Sequence, residues 1–302
     1  MPMPQQATAR YARHGRVKVR KGGAAAARIA TVRIAAARIA AAPNAAAVVA
    51  EAAVADSKRN FVYGLHAVSA ALERAPERVL EMWVASPRDD ARAQELRARA
   101  QTAGLHIHAA SPDALTKLVG DVVHQGAVVA MRPLKPWDEH DLIEALEHSA
   151  KDPVLLVLDG VTDPHNLGAC LRSADAAGAL AVIIPKDRAA TVDGVVRKVA
   201  AGAAEFVPVA SVTNLARTLE SLKTHGVWVV GTDGEAEKPI YAADFKRPLA
   251  LVLGAEGSGM RRLTREKCDF LVRIPMAGHV QSLNVSVSAG IALFEVLRQR
   301  AG

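Results

Sequence analysis

Cysteine is nearly absent from this 302-residue chain. Cys170 and Cys268 are its only two, too few for a disulfide scaffold or a four-thiolate zinc site. A reduced, cytoplasmic protein is expected. Long apolar runs are missing too; none approaches the roughly 20 residues that span a bilayer, so no membrane association is expected. Glycine and proline, at 21 and 15 residues, are too few for a collagen-like or wholly disordered chain. What is left is a globular composition, 50% hydrophobic and 23% charged, at a length where single cores divide, so two folded domains are expected.

Acidic residues are scarce at one end only. Residues 1–58 hold ten of the 38 Lys and Arg residues but just two acids, Glu51 and Asp56. The other 28 basic residues face 29 acidic ones in residues 59–302. The net charge of +7 is therefore that of an attached segment, and the folded body is close to neutral. The segment runs through YARHGRVKVRKGG into an alanine tract in which Arg28, Arg33 and Arg38 recur every five residues. Five helical steps turn the chain by about 140°, so these arginines share no single face. Residues 1–58 read as a disordered, low-complexity basic arm; an overextended translation start and a targeting peptide remain open alternatives.

From Arg59 the composition changes. Residues 59–132 read as a small α/β domain: a helix from Gly64 to Arg74, a strand over Leu80 to Val84, a helix over Arg88 to Ala103 and a short strand at Leu105 to His108. A helix opened by Ser111-Pro112-Asp113 and a strand over Val122 to Met131 complete it. The prolines of Arg132-Pro133-Leu134-Lys135-Pro136 disfavour helix, and residues 133–150 read as a linker that ends in the amphipathic stretch Glu139 to His148. In residues 151–302, apolar runs recur every 20 to 30 residues: VLLVL (154–158), LAVIIP (180–185), FVPV (206–209), VWVV (227–230), LALVL (249–253) and FLVRI (270–274). Helical patterns fall between several of them, the alternation of an α/β domain with a parallel sheet covered on both faces. Ligands of such sheets lie at loops beyond the carboxyl ends of the strands.

Three of those loops are rich in polar residues and glycine. The first is DGVTDPHNLGACLRSADAAG (159–178), in which Asn166 reads as a helix cap, Leu167, Cys170, Leu171 and Ala174 as the buried stripe, and Arg172 as a residue pointing away from it. The second, GAEGSGMRRLTRE (254–266), surrounds Glu256 with glycines directly after a buried strand. The third, IPMAGHVQSLNVSVSAGIALFEVLRQR (274–300), has Ser282 and Asn284 opening a helix whose apolar face is Leu283, Val287, Ile291, Phe294 and Leu297. Taken singly, each has an ordinary structural reading: glycines make turns, Ser282 caps a helix, and Arg172 pairs with Asp175 on the surface. The spacing of Gly254, Gly257 and Gly259 is GxxGxG, without a Walker lysine, so a dinucleotide or phosphate-loop site is not indicated.

In order and wording the three loops together resemble the three motifs of the SPOUT class, and within it the SpoU or TrmH family of RNA ribose 2′-O-methyltransferases. The resemblance covers about 153 to 300. FVYGLHAV (61–68) and VHQG (123–126) resemble the small ribosomal-protein-like RNA-binding domain that precedes these motifs in bacterial members acting on the ribose 2′-oxygen of a guanosine in 23S rRNA. The resemblance implies an α/β fold with a trefoil-knotted SPOUT methyltransferase domain, S-adenosylmethionine as cofactor, no metal, 23S rRNA as substrate and a homodimer whose sites are completed by the partner. A tRNA ribose methyltransferase and a non-catalytic ribosome-assembly factor are the alternatives.

Carried over by motif, Asn166, Arg172, Glu256, Ser282 and Asn284 are the catalytic residues. Thr232, Gly254, Ile274 and Leu283 line the cofactor pocket. The family role of general base for Arg172 conflicts with a guanidinium pKa above about 12; a phosphate clamp and alkoxide stabiliser fits better. His165 is the alternative base, and His66, His124 and His279 read as structural or RNA-contacting.

Overall fold

The computed structural model describes residues 59–86, 90–150 and 152–301; the expectations for residues 1–58 lie outside them. The described residues build two sheets. The first has four strands, β1 (Asn60–Tyr63), β2 (Val79–Ala85), β3 (Ile107–Ala110) and β4 (Ala127–Met131), in the order β1-β4-β2-β3. β2 and β3 are parallel, and β4 runs antiparallel to β1 and β2. Helices α1 (Leu65–Arg74) and α2 (Ala91–Thr102) bury Val68, Leu72 and Leu96 against Val62, Met82, Val84 and Val129. Helix α3 (Pro112–Val119) starts as expected, with the Ser111 hydroxyl accepting the N–H of Ala114 and Pro112 in the first turn.

Two local expectations fail here. Asn60–Tyr63 is a strand that the sequence reading passed over, four residues paired along β4 only. Residues 122–126, expected as strand, form a turn: Gln125 and Gly126 take positive φ values of 49° and 74°, and the His124 ring accepts the N–H of Gly126 at 3.1 Å. Residues with positive φ cannot continue a strand.

Trp137 follows the proline-rich stretch and pairs with Ala210; helix α4 (Glu139–Glu147) buries Leu142 and Leu146. The second sheet has six strands, β5 (Val154–Asp159), β6 (Ala181–Pro185), β7 (Val209–Val212), β8 (Trp228–Thr232), β9 (Leu249–Gly254) and β10 (Phe270–Val272), in the order β10-β8-β9-β5-β6-β7. All neighbours are parallel, so the expected α/β architecture with a parallel sheet is observed. Helices α5 (Pro164–Ala176), α6 (Gly194–Ala200), α7 (Leu215–Thr224), α8 (Arg262–Lys267) and α9 (Val285–Ala301) complete it. Leu156, Leu158, Leu251 and Leu253 face α5, α6 and α9, whereas Leu155, Val157, Ala250 and Val252 face α4 and α7. Strands covered on both faces read as continuous apolar runs, which is why all six were visible in the sequence. β7 begins three residues later than its run, beyond Pro208.

Helix α9 corrects another expectation. Its packed face is Val285, Ala289, Ala292, Leu293 and Val296, while Val287, Phe294 and Leu297 are exposed. The helix is apolar on two sides, and the predicted stripe is the outer one.

Candidate active site

Because the six strands are parallel, their carboxyl ends lie along one edge. The chain builds β5, β6 and β7 outward, then returns to build β8, β9 and β10 on the other side. The reversal falls at the β5–β9 pair, the place where such sheets take ligands. Asp159 and Gly254 are register partners at its end.

After β9, Ala255 and Gly259 exchange two backbone hydrogen bonds, of 3.1 and 2.9 Å, and Gly257 and Gly259 take φ values of 79° and 66°. This tight turn carries Glu256. It folds over Gly254, where a Cβ would overlap the Gly259–Met260 backbone. Asp159, whose side chain is fully buried, holds the return limb: its Oδ2 accepts the Arg261 N–H at 2.8 Å, and its Oδ1 faces the Arg261 guanidinium at 3.5 Å. A buried carboxylate requires such partners. Sequence reasoning missed Asp159, although an acid directly after a buried apolar strand was a readable signal.

Asn166 is not the helix cap expected of it. Asp163 caps α5, accepting the His165 N–H at 2.9 Å, with Pro164 in the first turn; Asp followed by Pro is the stronger start. Asn166 lies inside the helix and is buried, which leaves its amide available. Its Nδ2 donates to Glu256 Oε1 at 3.2 Å. Asn284 Nδ2 donates to Asn166 Oδ1 at 2.9 Å and to Glu256 Oε1 at 2.6 Å. The Val285 N–H points at the same carboxylate oxygen from 3.4 Å. Asn284 Oδ1 accepts the Ser286 N–H at 2.9 Å, capping the first turn of α9. One carboxylate thus orients two amides, and hydrogen bonds to a charged acceptor are the strong ones.

Three of the five expected catalytic residues are therefore brought together, and two are not. The Ser282 side chain is exposed and outside the cluster. Arg172 lies six residues beyond Asn166, about 9 Å along α5; its exposed guanidinium bonds to no described residue and lines a crevice against the first sheet. The surface pair with Asp175 does not form, because Asp175 is bound by Arg74 at 2.9 Å. Thr232, Gly254 and Ile274 end or follow the neighbouring strands β8, β9 and β10, and Thr232 Oγ1 donates to the Val252 carbonyl at 3.2 Å. Leu283, half-buried, immediately precedes Asn284. The His165 ring is exposed and outside the cluster. Burial pushes the Cys170 thiol up to about 12. Burial, with Asp269 adding to it, does the same to Cys268, so neither thiol is a ready nucleophile.

The fold and this cluster define an α/β protein with a polar site at the carboxyl edge of a parallel sheet, where cofactor-dependent enzymes of this architecture hold their ligands. The model of the SpoU rRNA Methylase family matches residues 153–294, and that of the RNA 2′-O ribose methyltransferase substrate binding domain matches 61–137. Two proteins named 23S rRNA (guanosine-2′-O-)-methyltransferase RlmB, from Yersinia pestis and Pseudomonas aeruginosa, are each 58% identical to this chain. They align over 79% of it and over 97% and 96% of their own lengths. A crystal structure of an RNA 2′-O ribose methyltransferase is 30% identical, with a TM-score of 0.61 over 81% of this chain and 90% of that one. The SpoU methyltransferase AviRb from Streptomyces viridochromogenes, in complex with AdoMet, is 26% identical, with a TM-score of 0.62 over 85% of this chain and 99% of that one. The chain belongs to the SpoU rRNA methylase family.

Proposed function

We propose that this protein transfers a methyl group from S-adenosylmethionine to the ribose 2′-hydroxyl of a guanosine in 23S rRNA. The observation that carries the reading is the meeting of Asn166, Glu256 and Asn284, from three loops, at the carboxyl edge of the sheet. The 58% identity to 23S rRNA guanosine methyltransferases over nearly their whole length sets the substrate.

When bound, the cofactor supplies an activated methyl on a sulfonium, which leaves as a neutral thioether. The strand ends fit such a group: Thr232, Gly254 and Ile274 end or follow the adjacent strands β8, β9 and β10, and Gly254 lets the Gly259–Met260 backbone of the turn close directly against its strand end. Thr232, Gly254, Ile274 and Leu283 are assigned to hold it, the last three through their backbone groups. Glu256 fixes the Asn166 and Asn284 amides, and Ser282 borders the site. Arg172 clamps the phosphate next to the target ribose and stabilises the 2′-oxygen as its negative charge develops. A guanidinium holds its proton too firmly to serve as the base.

Residues 59–132 are assigned to substrate RNA binding, 133–150 to a linker, 151–302 to the trefoil-knotted methyltransferase domain, and 1–58 to a basic arm. The separation of Arg172 from the Glu256 cluster supports a homodimer in which each site is completed by the second copy. The exposed Val287, Phe294 and Leu297 face supplies an apolar surface for that contact. The enzyme acts in the cytoplasm, where ribosomal RNA is made, and uses no metal.

The test is to map 2′-O-methylation on rRNA and tRNA incubated with the purified protein and S-adenosylmethionine. A single ribose-methylated guanosine in 23S rRNA is expected. Methylation confined to tRNA, or to a base, would overturn the assignment.

A further inference from the structure

We propose that the crevice between the two sheets seats a single-stranded stretch of the RNA, and that Glu205 acts as a positioning residue that sets its walls. The inference rests on the reading of the substrate as RNA and adds where that RNA lies. The crevice has a volume of about 1020 Å³, at the top of the roughly 300–1,000 Å³ that suits drug-sized ligands, and therefore accommodates more than one nucleotide. Tyr63 of β1 and His66 of α1 line it on one side; Arg172 and Lys198 line it from α5 and α6.

Its charge is uneven because most of its acids are taken. Arg74 holds Asp175 at 2.9 Å, and Glu205 is shared by Arg78 and Arg197. Arg172 and Lys198 form no ion pair with any described residue and are opposed by the exposed carboxylate of Asp121. Two uncommitted cations and two rings facing one open crevice, in a body whose overall charge is nearly zero, match a strand with phosphates on one side and splayed bases on the other. Arg172 joins this surface to the chemistry assigned to it.

Glu205 is nine-tenths buried, its side chain only 4% exposed. Its carboxylate receives Arg78 at 3.0 Å and Asn60 at 3.0 Å from the first sheet's side, and Arg197 from α6. Arg78 also binds the Arg132 carbonyl at 2.7 Å. Beside it, the Arg74 guanidinium lies 5.8 Å from the ring centroid of Phe206. One carboxylate thus ties both walls together. Losing its charge would leave two guanidiniums without an anion, the costly half of breaking a buried pair.

The experiment uses the full chain and a transcript of the 23S rRNA region that the wild type methylates. Lys198→Ala is expected to raise KM for this RNA about threefold to tenfold and to lower the salt slope of binding by about one, the signature of one lost phosphate contact. Glu205→Gln is expected to raise KM for RNA severalfold while kcat at saturating RNA stays within about twofold, with cofactor affinity by calorimetry as in wild type. A photoreactive phenylalanine analogue replacing Tyr63 is expected to crosslink the transcript. If the wild type methylates the transcript while Lys198→Ala keeps the wild-type KM and salt slope and the Tyr63 probe captures no RNA, the crevice is not the RNA seat, and the methyltransferase reading stands. A Glu205→Gln protein that loses kcat with an unchanged KM would overturn the positioning role. A wild type that methylates no RNA would instead overturn the function on which this inference rests.

Discussion

Asn166 and Asn284, 118 residues apart in the chain, are joined amide to amide by a hydrogen bond of 2.9 Å. Both amides also meet the same oxygen of Glu256. Each asparagine thereby has its side-chain oxygen and nitrogen placed: Asn284 must turn its Oδ1 to Ser286 because its Nδ2 is committed to the other two residues. Asn166→Ala removes one donor from Glu256 and one acceptor from Asn284. Activity is expected to fall about 10²-fold, the scale for loss of one oriented polar group in an active site. Single-turnover methylation measures it, and a rate within twofold of wild type would show that the cluster is only structural.

Arg172 tests the division between charge and proton transfer. As a clamp it requires its planar fork, so Arg172→Lys should retain partial activity and Arg172→Ala should lose about 10²-fold or more. Calorimetric cofactor binding should change little in either, since the cofactor is assigned to Thr232, Gly254, Ile274 and Leu283. A rate profile of Arg172→Ala from pH 6 to 10 separates the roles. Recovery as pH rises would mean that hydroxide replaces a missing base; a uniform loss is the expected result.

Gly254→Ala forces a methyl group into the Gly259–Met260 backbone, and backbone cannot move aside as a flexible side chain can. A destabilisation of about 1–3 kcal/mol is expected, read as a lower Tm by calorimetry, together with loss of cofactor binding. Wild-type affinity in this variant would remove Gly254 from the pocket.

Phe294 and Leu297 stand on the outer face of α9, 48% and 41% exposed. Single exposed apolar residues are ordinary, but with Val287 these two form a stripe at helical spacing. Phe294→Glu is expected to convert a dimer to a monomer in light scattering and to abolish methylation, because the site would lose the partner's contribution. A wild type that is monomeric and fully active would contradict the assembly.

The two thiols yield a prediction about pH. Cys170 and Cys268 are held as neutral thiols up to about 12, above the ordinary value of about 8.5 that they regain on unfolding. Between those values the folded state binds more protons than the unfolded one, so their contribution is intact below about pH 8.5 and is lost as pH rises toward 12. Ellman's reagent at pH 8 should label native protein slowly and both cysteines rapidly once it is unfolded. Rapid labelling of Cys170 in native protein would show that the helix it belongs to opens readily.

The strands of the parallel sheet were legible because burial on both faces makes each a continuous apolar run, and the α3 start was legible because Ser111-Pro112 carries its capping chemistry locally. The three loops were legible as motifs, so their family and cofactor followed from residues close together in the chain. Other features depended on partners far away. Asn166 looked like a cap until Asp163 took that role and Glu256 took its amide. The surface pair of Arg172 with Asp175, the structural alternative to its catalytic role, was removed only by Arg74, 101 residues from that aspartate, which binds it. Glu205 carried no signal at all, since its partners Asn60, Arg78 and Arg197 come from three separate elements. The sequence by itself determined the pattern of strands and helices and the chemical repertoire of the loops, because local spacing and burial encode both. Only the tertiary structure decided which carboxylate meets which amide or guanidinium, and which face of α9 is left bare. Those choices rest on where the strand order reverses and how the sheets lie together, which no local window contains.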